Sequence, residues 1–312
     1  MMLSRVAERL YWMARYLERA EDTARLINAY SHLVLDIPRG IVPGWNLLID
    51  TLDAAPAFSG RYRKVSERNV IKFLLADTDN PSSIRVSISS ARENVRTTRD
   101  VLPAQAWELV NELHLYVREA AEASLARTQR LEFLETIIAG NQQINGLIHT
   151  SVSRDHALWF IKLGQLTERA DMTSRIVDVA TAAIRTPAKD AIPEVPLLWA
   201  NLLKSLSATA AYRRQIGPML TPDDVIEFVL KRRQFPRSIV HCLDSIEETV
   251  AQLKAPDGLL RSLRQALRPI TQFRSDIYEA PQDLHRLIDE FQIVLGDLDE
   301  AIHEIWFARG TA

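Results

Sequence analysis

The chain has 312 residues, of which 47% are hydrophobic, and its formal net charge is −2. So small a net charge produces no global field that would draw the chain to nucleic acid or to an anionic membrane. The single cysteine, Cys242, excludes an intramolecular disulfide and a cysteine metal cluster. The length exceeds that of most single hydrophobic cores, so two domains or one duplicated bundle are expected.

The composition also favours helices over strands. Only ten glycines occur, and runs in which Val, Ile or Thr alternate with polar residues are scarce, which predicts an all-α protein. The N-terminal segment MMLSRVAERLYW carries charges where a signal peptide needs an apolar centre, and no long uncharged apolar run follows. The sequence therefore predicts a cytoplasmic protein without a membrane segment.

The first predicted helix follows Ser4 and continues to about Tyr30. Apolar residues recur along it at spacings of three and four, which places them on one face: Val6, Leu10, Met13, Leu17, Ala20, Ala24 and Ile27. A second face has the same spacing but is aromatic and charged: Tyr11, Arg15, Glu18, Asp22 and Arg25. A helix with two patterned faces is expected to lie inside a bundle.

The later helices are bounded by Pro, Gly or N-capping residues. Residues 37–60 are predicted to be a broken connection, and residues 186–196, with three prolines, a linker. Helices are predicted at 81–101, from Pro103 to about 126, at 130–148 (weakened by Gly140 and Gly146), and at 197–216, 222–232, 237–253, 258–275 and 282–307.

Three pairs of segments repeat in the same order along the chain. ERAEDTARL (18–26) matches ERADMTSRI (168–176), IKFLLADTDNPSSI (71–84) matches IEFVLKRRQFPRSI (226–239), and Asn-Leu-Leu occurs at 46–48 and 201–203. We therefore predict one helical bundle built from two pseudo-repeats, residues 1–150 and 151–312. The two Glu-Arg helices could then face each other across a pseudo-two-fold axis.

The repeated phrase contributes most of the candidate site residues: Glu18, Arg19, Asp22, Arg25, Glu168, Arg169 and Arg175. Two interpretations stay open. The residues could form a structural ion-pair network that holds helices in register. They could instead line a polar pocket that binds an anionic or zwitterionic ligand through Arg, with Glu as an acid or base.

A second group of candidates lies at two helix starts. Ser83 and Ser238 follow prolines in matching positions, and Arg237 lies in the same turn as Ser238. The free N–H groups of a helix start attract anions, so these three residues are candidates for anion binding. Ordinary N-capping explains the serines equally well.

A row of arginines is a candidate surface for a partner protein. Arg92, Arg96 and Arg99 are spaced so that they share one face of the predicted helix. They could instead pair with acidic residues of a neighbouring helix, in which case they would not be free for a partner.

Signatures of known enzyme classes are incomplete. A di-iron bundle needs two Glu-x-x-His motifs, and only Glu300 with His303 fits. His285 and Asp289 are four residues apart, but a metal ion needs further ligands. Neither a glycine-rich phosphate loop nor a Gly-x-Ser-x-Gly motif occurs. No metal site, cofactor or catalytic residue is therefore predicted.

Four segments together resemble the alpha-E family of bacterial all-helical proteins, which is named for a Glu-Arg motif. They are LSRVAERLYWMARYLERAEDTARL (3–26), PSSI with ARENVRTTRD and Trp107 (81–107), LGQLTERADMTSRI (163–176) and FPRS (235–238). Glu18-Arg19 and Glu168-Arg169 each match the motif.

The resemblance implies a function only indirectly. Members of that family are typically encoded beside, or fused to, circularly permuted ATP-grasp ligases and transglutaminase-like peptidases, which implies a role in forming, modifying or degrading peptides or amides. It brings no catalytic residues. We therefore expect an accessory or scaffold protein that partners such a ligase and peptidase. The alternative is an enzyme of the same pathway, with a site between the two Glu-Arg helices, acting on a peptide or amino-acid derivative.

Overall fold

In a computed structural model of the chain, residues 2–36, 44–185, 195–274 and 280–308 are described. Every regular element in these ranges is a helix, which confirms the all-α prediction. The α-helices are α1 Ser4–Asp36, α2 Asn46–Thr51, α3 Ala55–Ser59, α4 Glu67–Leu75, α5 Ile84–Arg96, α6 Ala104–Ala120, α7 Arg127–Ser151, α8 His156–Arg185, α9 Val195–Ser205, α10 Thr209–Gln215, α11 Pro222–Lys231, α12 Ile239–Gln252, α13 Asp257–Gln272 and α14 Pro281–Ile302. A π-helical turn, His303–Phe307, extends α14, and a 3-10 turn, Ala123–Leu125, precedes α7.

The two longest helices, α1 and α8, pack against each other at the centre. Helices α5 and α7 pack on α1, with α6 contacting both of them. Helices α12 and α14 pack on α8 in the same way, with α13 contacting both. The short helices cross between these groups, because α2 packs on α8 and α9 packs on α1.

The central crossing depends on a glycine. A Cβ placed on Gly164 of α8 would lie 2.2 Å from the carbonyl oxygen of Tyr11 in α1. Real Cβ atoms do not approach backbone this closely, so only glycine allows the two helix backbones to come so near. Gly140 also allows a close contact, since a Cβ placed on it would lie 2.9 Å from Cδ1 of Leu113. The contact is less severe than at Gly164, because the neighbouring atom belongs to a side chain. The predicted weakness at Gly140 is not seen, and α7 is continuous.

Both patterned faces of α1 point into protein. Six of the seven predicted apolar residues are buried, and Val6 is half-buried. The charged face is also enclosed, since Arg15, Glu18 and Asp22 are each at most 9% exposed. The apolar side forms core with α5 and α7, so the charged side has to find its partners within the bundle.

Several predicted boundaries were wrong. Helix α1 continues to Asp36, six residues beyond Tyr30, and α5 ends at Arg96 rather than Val101. The single helix predicted at 197–216 is two helices, α9 and α10. The break occurs because Ser207 has a positive φ of 53°, and Ala208 donates its N–H to Leu203. Residues 186–194 of the predicted linker lie outside the described residues, as do 37–43 of the predicted broken connection.

None of the described helices has the length and apolar character needed to cross a lipid bilayer.

Candidate functional site

The two Glu-Arg motifs bind each other across the α1–α8 contact. Arg19 donates from Nε to Oε1 of Glu168 at 2.5 Å and from Nη2 to Oε2 at 2.9 Å. Arg169 donates to Glu18 in the same way, at 2.7 Å and 3.0 Å. The side chains of Glu18 and Glu168 are 0% and 3% exposed. Each motif glutamate is thus held by two parallel hydrogen bonds from the arginine of the other helix, the strong geometry for such a pair.

Each buried glutamate also contacts a third polar group. Glu168 accepts a hydrogen bond of 2.8 Å from Nε of Arg15. The matching position in α8 is Gln165, which donates only a neutral hydrogen bond of 3.1 Å to Glu18. A cation reaches Glu18 from elsewhere, since Nη1 of Arg237 lies 3.1 Å from its Oε1. Both carboxylates therefore contact two arginines each.

Arg237 comes from the turn before α12 and occupies the centre of an acidic group. It pairs with Glu18, with Asp22, and with Glu21 at 3.3 Å. The Arg237 side chain is only 10% exposed. The partners of its guanidinium are these carboxylates of the protein rather than the bound anion that the sequence suggested. Oδ2 of Asp22 has no hydrogen-bond partner within the described part of the chain.

The network extends at both ends of the α1–α8 pair. At one end Arg15 donates to Oδ1 of Asp299 in α14 at 2.6 Å, and the hydroxyl of Tyr11 donates to the same oxygen. At the other end Arg25 donates to Oγ of Ser207 at 2.5 Å. We call these side chains together the polar core: Tyr11, Arg15, Glu18, Arg19, Glu21, Asp22, Arg25, Gln165, Glu168, Arg169, Arg237 and Asp299.

Arg175 occupies the position in α8 that matches Arg25. It donates from Nε to both carboxylate oxygens of Asp171, at 3.0 Å and 2.9 Å. Its Nη1 lies 3.8 Å from Oδ2 of Asp53. The structure thus brings six of the seven residues from the repeated phrase into the polar core and leaves Arg175 at its edge.

The two serines at the helix starts have the geometry of N-caps. Ser83 accepts from the N–H of Val86 and donates to the carbonyl of Asp77 at 2.7 Å. Ser238 makes the corresponding pair of bonds to His241 and Arg232. Both are fully buried. Their hydroxyl groups are occupied by backbone, as capping requires.

The three arginines of the candidate partner surface all have internal contacts. Arg92 donates to Asn111 at 2.7 Å and lies 4.9 Å from the ring centre of Trp107. Arg99 lies 3.6 Å from the same ring centre, and Arg96 pairs with Glu93 at 2.6 Å. The prediction that all three arginines share one helix face was wrong for Arg99, because α5 ends at Arg96 and Arg99 lies beyond it. Arg96 and Arg99 nevertheless stay exposed.

A cavity of about 460 Å³ opens beside the polar core. We call it the Arg169 cavity, and the side chains that characterise it are His149, Trp159, Lys162, Arg169, His241 and Glu248. It lies between the end of α7, the first half of α8, and α12. The sequence gives little signal for it, because its lining residues come from three segments far apart in the chain.

Charge and burial act in opposite directions on the acids of the polar core. Burial by itself would raise the pKa of Glu18, but Arg169 and Arg237 outweigh it and lower the pKa to about 2. Arg19 and Arg15 likewise hold the pKa of Glu168 below its ordinary value against burial. For Asp22, burial prevails with help from Glu18 and Glu21, and raises its pKa to about 7 despite Arg237.

A family model described as a predicted alpha-helical domain with a conserved ER motif matches residues 2–307. The chain belongs to the Alpha-E family. In this Alpha-E protein the reciprocal ion pairs join Glu18-Arg19 of α1 to Glu168-Arg169 of α8. The recognition made from sequence is therefore confirmed over nearly the whole chain.

Similar proteins extend well beyond the matched region. One protein of Mycobacterium bovis and two of Mycobacterium tuberculosis, each described as uncharacterized, are 25% identical to this Alpha-E protein over 328 aligned positions. The match covers 96% of this chain but 35% of each relative, so the chain spans about a third of their length. No solved structure matches it.

Sequence reasoning named His285 and Asp289 but missed the contacts that Asp178 and Asp299 make in the fold. Nδ1 of His285 lies 2.6 Å from Oδ1 of Asp178, and its Nε2 lies 3.4 Å from Oδ2 of Asp289. The three could surround a cation, yet His285 already bridges the two carboxylates through both ring nitrogens. Neither contact could be predicted from the sequence, because Asp178 meets His285 across 107 residues and Asp299 meets Arg15 across 284.

The Asp22→Asn variant of this Alpha-E protein is expected to have a flatter dependence of stability on pH. The pKa of Asp22 is raised from 3.8 to about 7 in the folded protein, so the folded state holds that proton more tightly than the unfolded state. The stabilisation is therefore complete below pH 3.8 and lost as the pH rises through about 7.

Urea denaturation midpoints over this pH range test the expectation. The difference in stability between wild type and Asp22→Asn should change in favour of the variant as the pH rises. Asp50→Asn, at an exposed position, is the control and should follow wild type. If Asp22→Asn and wild type keep a constant difference over the window, the raised pKa of Asp22 is refuted.

Proposed function

We propose that this Alpha-E protein is an accessory or scaffold protein of the bacterial cytoplasm that works with an ATP-grasp peptide or amide ligase and a transglutaminase-like peptidase. The observation that carries the proposal is that the Glu-Arg motifs engage each other. Glu18, Arg19, Glu168 and Arg169 satisfy one another across α1 and α8. That arrangement supports a structural role for the motif and a function exerted through the protein surface.

Burial and pKa argue against catalysis by the motif glutamates. A general acid or base has to reach a proton of the substrate, and its pKa has to lie near the working pH. Glu18 is 0% exposed and has a pKa of about 2, so it is both inaccessible and a weak base at neutral pH. Glu168 is 3% exposed and its pKa is also lowered. A buried network of this kind instead fixes how two helices align.

We further propose that the scaffold arose by duplication, with residues 1–150 and 151–312 as its two halves. Support comes from turns that match in detail. Ser83 donates to the carbonyl of Asp77 and Ser238 to that of Arg232, each six residues earlier. Asp53 and Ser207 both have a positive φ, 50° and 53°, in turns between matching short helices.

Contacts between the proposed halves are also reciprocal. Arg25 of the first half reaches Ser207 of the second, and Arg175 of the second reaches Asp53 of the first. The short helices repeat this exchange, because α2 packs on α8 and α9 packs on α1. A pseudo-two-fold axis between α1 and α8 would account for both exchanges.

A second candidate function, an enzyme acting on a peptide or amino-acid derivative, is favoured by the Arg169 cavity. The cavity brings two histidines and a carboxylate together around one open space: His149, His241 and Glu248. Such a site would lie beside the Glu-Arg helices rather than between them. Turnover by the isolated protein would support this candidate over the accessory role.

Co-elution with a circularly permuted ATP-grasp ligase from the same organism tests the accessory role. We expect a complex in size-exclusion chromatography, and we expect the Arg96→Glu variant to weaken its affinity about tenfold through charge reversal at the exposed row. The matched control is Arg264→Glu, since Arg264 is also an exposed arginine paired to a nearby acid, Glu247.

Each outcome of this experiment bears on the proposal. A complex that is weakened by Arg96→Glu and not by Arg264→Glu supports docking through the arginine row. Equal weakening by both variants would place the docking surface elsewhere. A ligase that is equally active and elutes alone in the presence of this protein would contradict the accessory role.

A further inference from the structure

The lining of the Arg169 cavity presents cations to a space large enough for a small molecule. Its volume of about 460 Å³ lies within the range of ligand sites in proteins. Lys162 and Arg169 lie seven residues apart on α8, so they share one side of that helix. Arg169 uses Nε and Nη2 to hold Glu18, which leaves Nη1 as the donor for a ligand.

The positive character of this wall is visible in a neighbouring histidine. Burial, followed by the charges of Lys162, Arg169 and Arg154, lowers the pKa of His149 below its ordinary value. The lowered pKa favours the neutral form of His149, so Lys162 and Arg169 supply the positive charge on this side. An anionic group in the cavity would meet these two cations.

The α12 side of the cavity presents acceptors. Nδ1 of His241 lies 2.7 Å from the carbonyl oxygen of Arg233, and a carbonyl can only accept, so Nδ1 carries the hydrogen. In the tautomer with its hydrogen on Nδ1, Nε2 is an acceptor, and it lies 3.5 Å from the hydroxyl of Ser245. Glu248, one turn beyond Ser245 on α12, adds a carboxylate. A ligand with a negative group at one end and a positive group at the other would therefore meet complementary groups on both sides.

In the first half, aromatic side chains stand at the matching positions of α1. Trp12 and Tyr16 occupy the positions, 150 residues earlier, that correspond to Lys162 and Leu166. Their ring centres lie 5.6 Å apart, and the guanidinium of Arg19 lies 5.7 Å from the Tyr16 ring centre. The Tyr16 ring thus lies against the motif arginine of α1, whereas the motif arginine of α8 lines an open cavity.

We propose that the Arg169 cavity binds a free amino acid or a dipeptide. Lys162 and Arg169 hold its carboxylate, Glu248 and Nε2 of His241 take its ammonium group, and Trp159 contacts its apolar part. The Glu248 carboxylate makes the site unfavourable for a simple anion such as phosphate. Such an anion brings no ammonium group to pair with Glu248, so the two negative charges would repel each other. This inference concerns the isolated protein and does not depend on the docking of a ligase.

Isothermal titration calorimetry on the full chain tests the proposal. The probes are L-alanine, L-glutamate and the dipeptide Ala-Ala, compared with acetate, ethylamine and inorganic phosphate at equal millimolar concentrations. We expect one molecule of amino acid or dipeptide to bind per chain, at least about tenfold more tightly than acetate or ethylamine. Equal binding of phosphate, or no binding by any of the three zwitterions, would overturn the proposal.

Variants test the roles of the lining residues. Lys162→Met and Glu248→Gln should each weaken binding about tenfold or more. Their matched controls are Lys72→Met, at an exposed lysine, and Glu93→Gln, at the position that corresponds to Glu248 in the first half. Both controls should bind as wild type does, and binding that survives in the two cavity variants would overturn the assignment.

A filling variant separates loss of binding from loss of folding. Lys162→Trp introduces the residue that the first half already carries at position 12, so the helix should keep its fold while the cavity is filled. We expect an unchanged circular dichroism spectrum and no binding of Ala-Ala. Undiminished binding by the folded Lys162→Trp protein would exclude this cavity as the site.

Discussion

The Glu18→Gln variant is expected to lose about 3–5 kcal/mol of its free energy of unfolding at neutral pH. Glu18 is fully buried and balances two arginines, Arg169 and Arg237, which are themselves 15% and 10% exposed. A glutamine can accept hydrogen bonds from them but supplies no charge. Removing one partner of a buried ion pair leaves the other charge uncompensated, which costs far more than losing an exposed pair.

Urea denaturation at pH 7 measures this loss. The matched control is Glu93→Gln, which breaks an ion pair with Arg96 in which both side chains are more than half exposed. That change should stay within about 1 kcal/mol of wild type. Equal and small effects in the two variants would mean that the Glu18 pair contributes no more than a surface pair does.

A double-mutant cycle separates the pair from its surroundings. If Glu18 and Arg169 stabilise the fold mainly through each other, Glu18→Gln with Arg169→Gln should cost less than the sum of the two single changes. Additive losses would show that Arg237 and Gln165, rather than Arg169, are the main partners of Glu18. The cycle thus identifies which contact of the network matters most.

The dependence of Glu18 on pH is opposite to that of Asp22. A pKa lowered from 4.5 to about 2 gives stability that is present above pH 4.5 and lost as the pH falls through about 2. Asp22 contributes in the reverse sense over a higher range. One acidic group around Arg237 therefore contains a carboxylate that resists protonation and another that takes up a proton near neutrality.

The helical class of the fold and many helix positions could be predicted because they depend on local patterns. Spacings of three and four marked the buried face of α1, and Ser83 and Ser238 marked the starts of α5 and α12. The charged face of α1 was also visible, including Arg15 and Tyr11. The pattern could not predict the partner of each charged residue. Helical periodicity shows which residues share a face of one helix, but it does not show which residues of another helix lie opposite them.

Partners from distant segments explain what was missed. Asp299 meets Arg15 across 284 positions, and Arg237 meets Asp22 across 215. The break between α9 and α10 was missed for a local reason. It uses a left-handed residue, Ser207, where a glycine or proline would have given a signal.

One asymmetry between the matching segments has a physical explanation in these contacts. Asp22 in α1 corresponds to Met172 in α8, and Arg237 before α12 corresponds to Ser82 before α5. Asp22 and Arg237 are bonded to each other. Burying either charge without its partner would be costly. Asp22 and Arg237 therefore occur together, and the corresponding positions, Met172 and Ser82, are both uncharged.

Replacing Gly164 by alanine is expected to destabilise the protein by about 3 kcal/mol or more, because it forces backbones apart. The new Cβ would lie 2.2 Å from the carbonyl oxygen of Tyr11 and 3.0 Å from its carbonyl carbon. Those atoms belong to the backbone of α1 and cannot rotate away as a side chain could. The helices would have to separate where Arg15 and Arg19 reach across to Glu168, so the hydrogen bonds of the Glu-Arg pairs would lengthen as well.

Gly146→Ala is the matched control, because it makes the same change within a helix where the added Cβ meets no atom within 4 Å. There the usual preference for alanine over glycine should raise stability by about 0.5–1 kcal/mol. Urea denaturation of both variants therefore gives changes of opposite sign if the α1–α8 contact is as close as described. If Gly164→Ala stabilises the protein as much as Gly146→Ala does, the two helices do not touch at Tyr11.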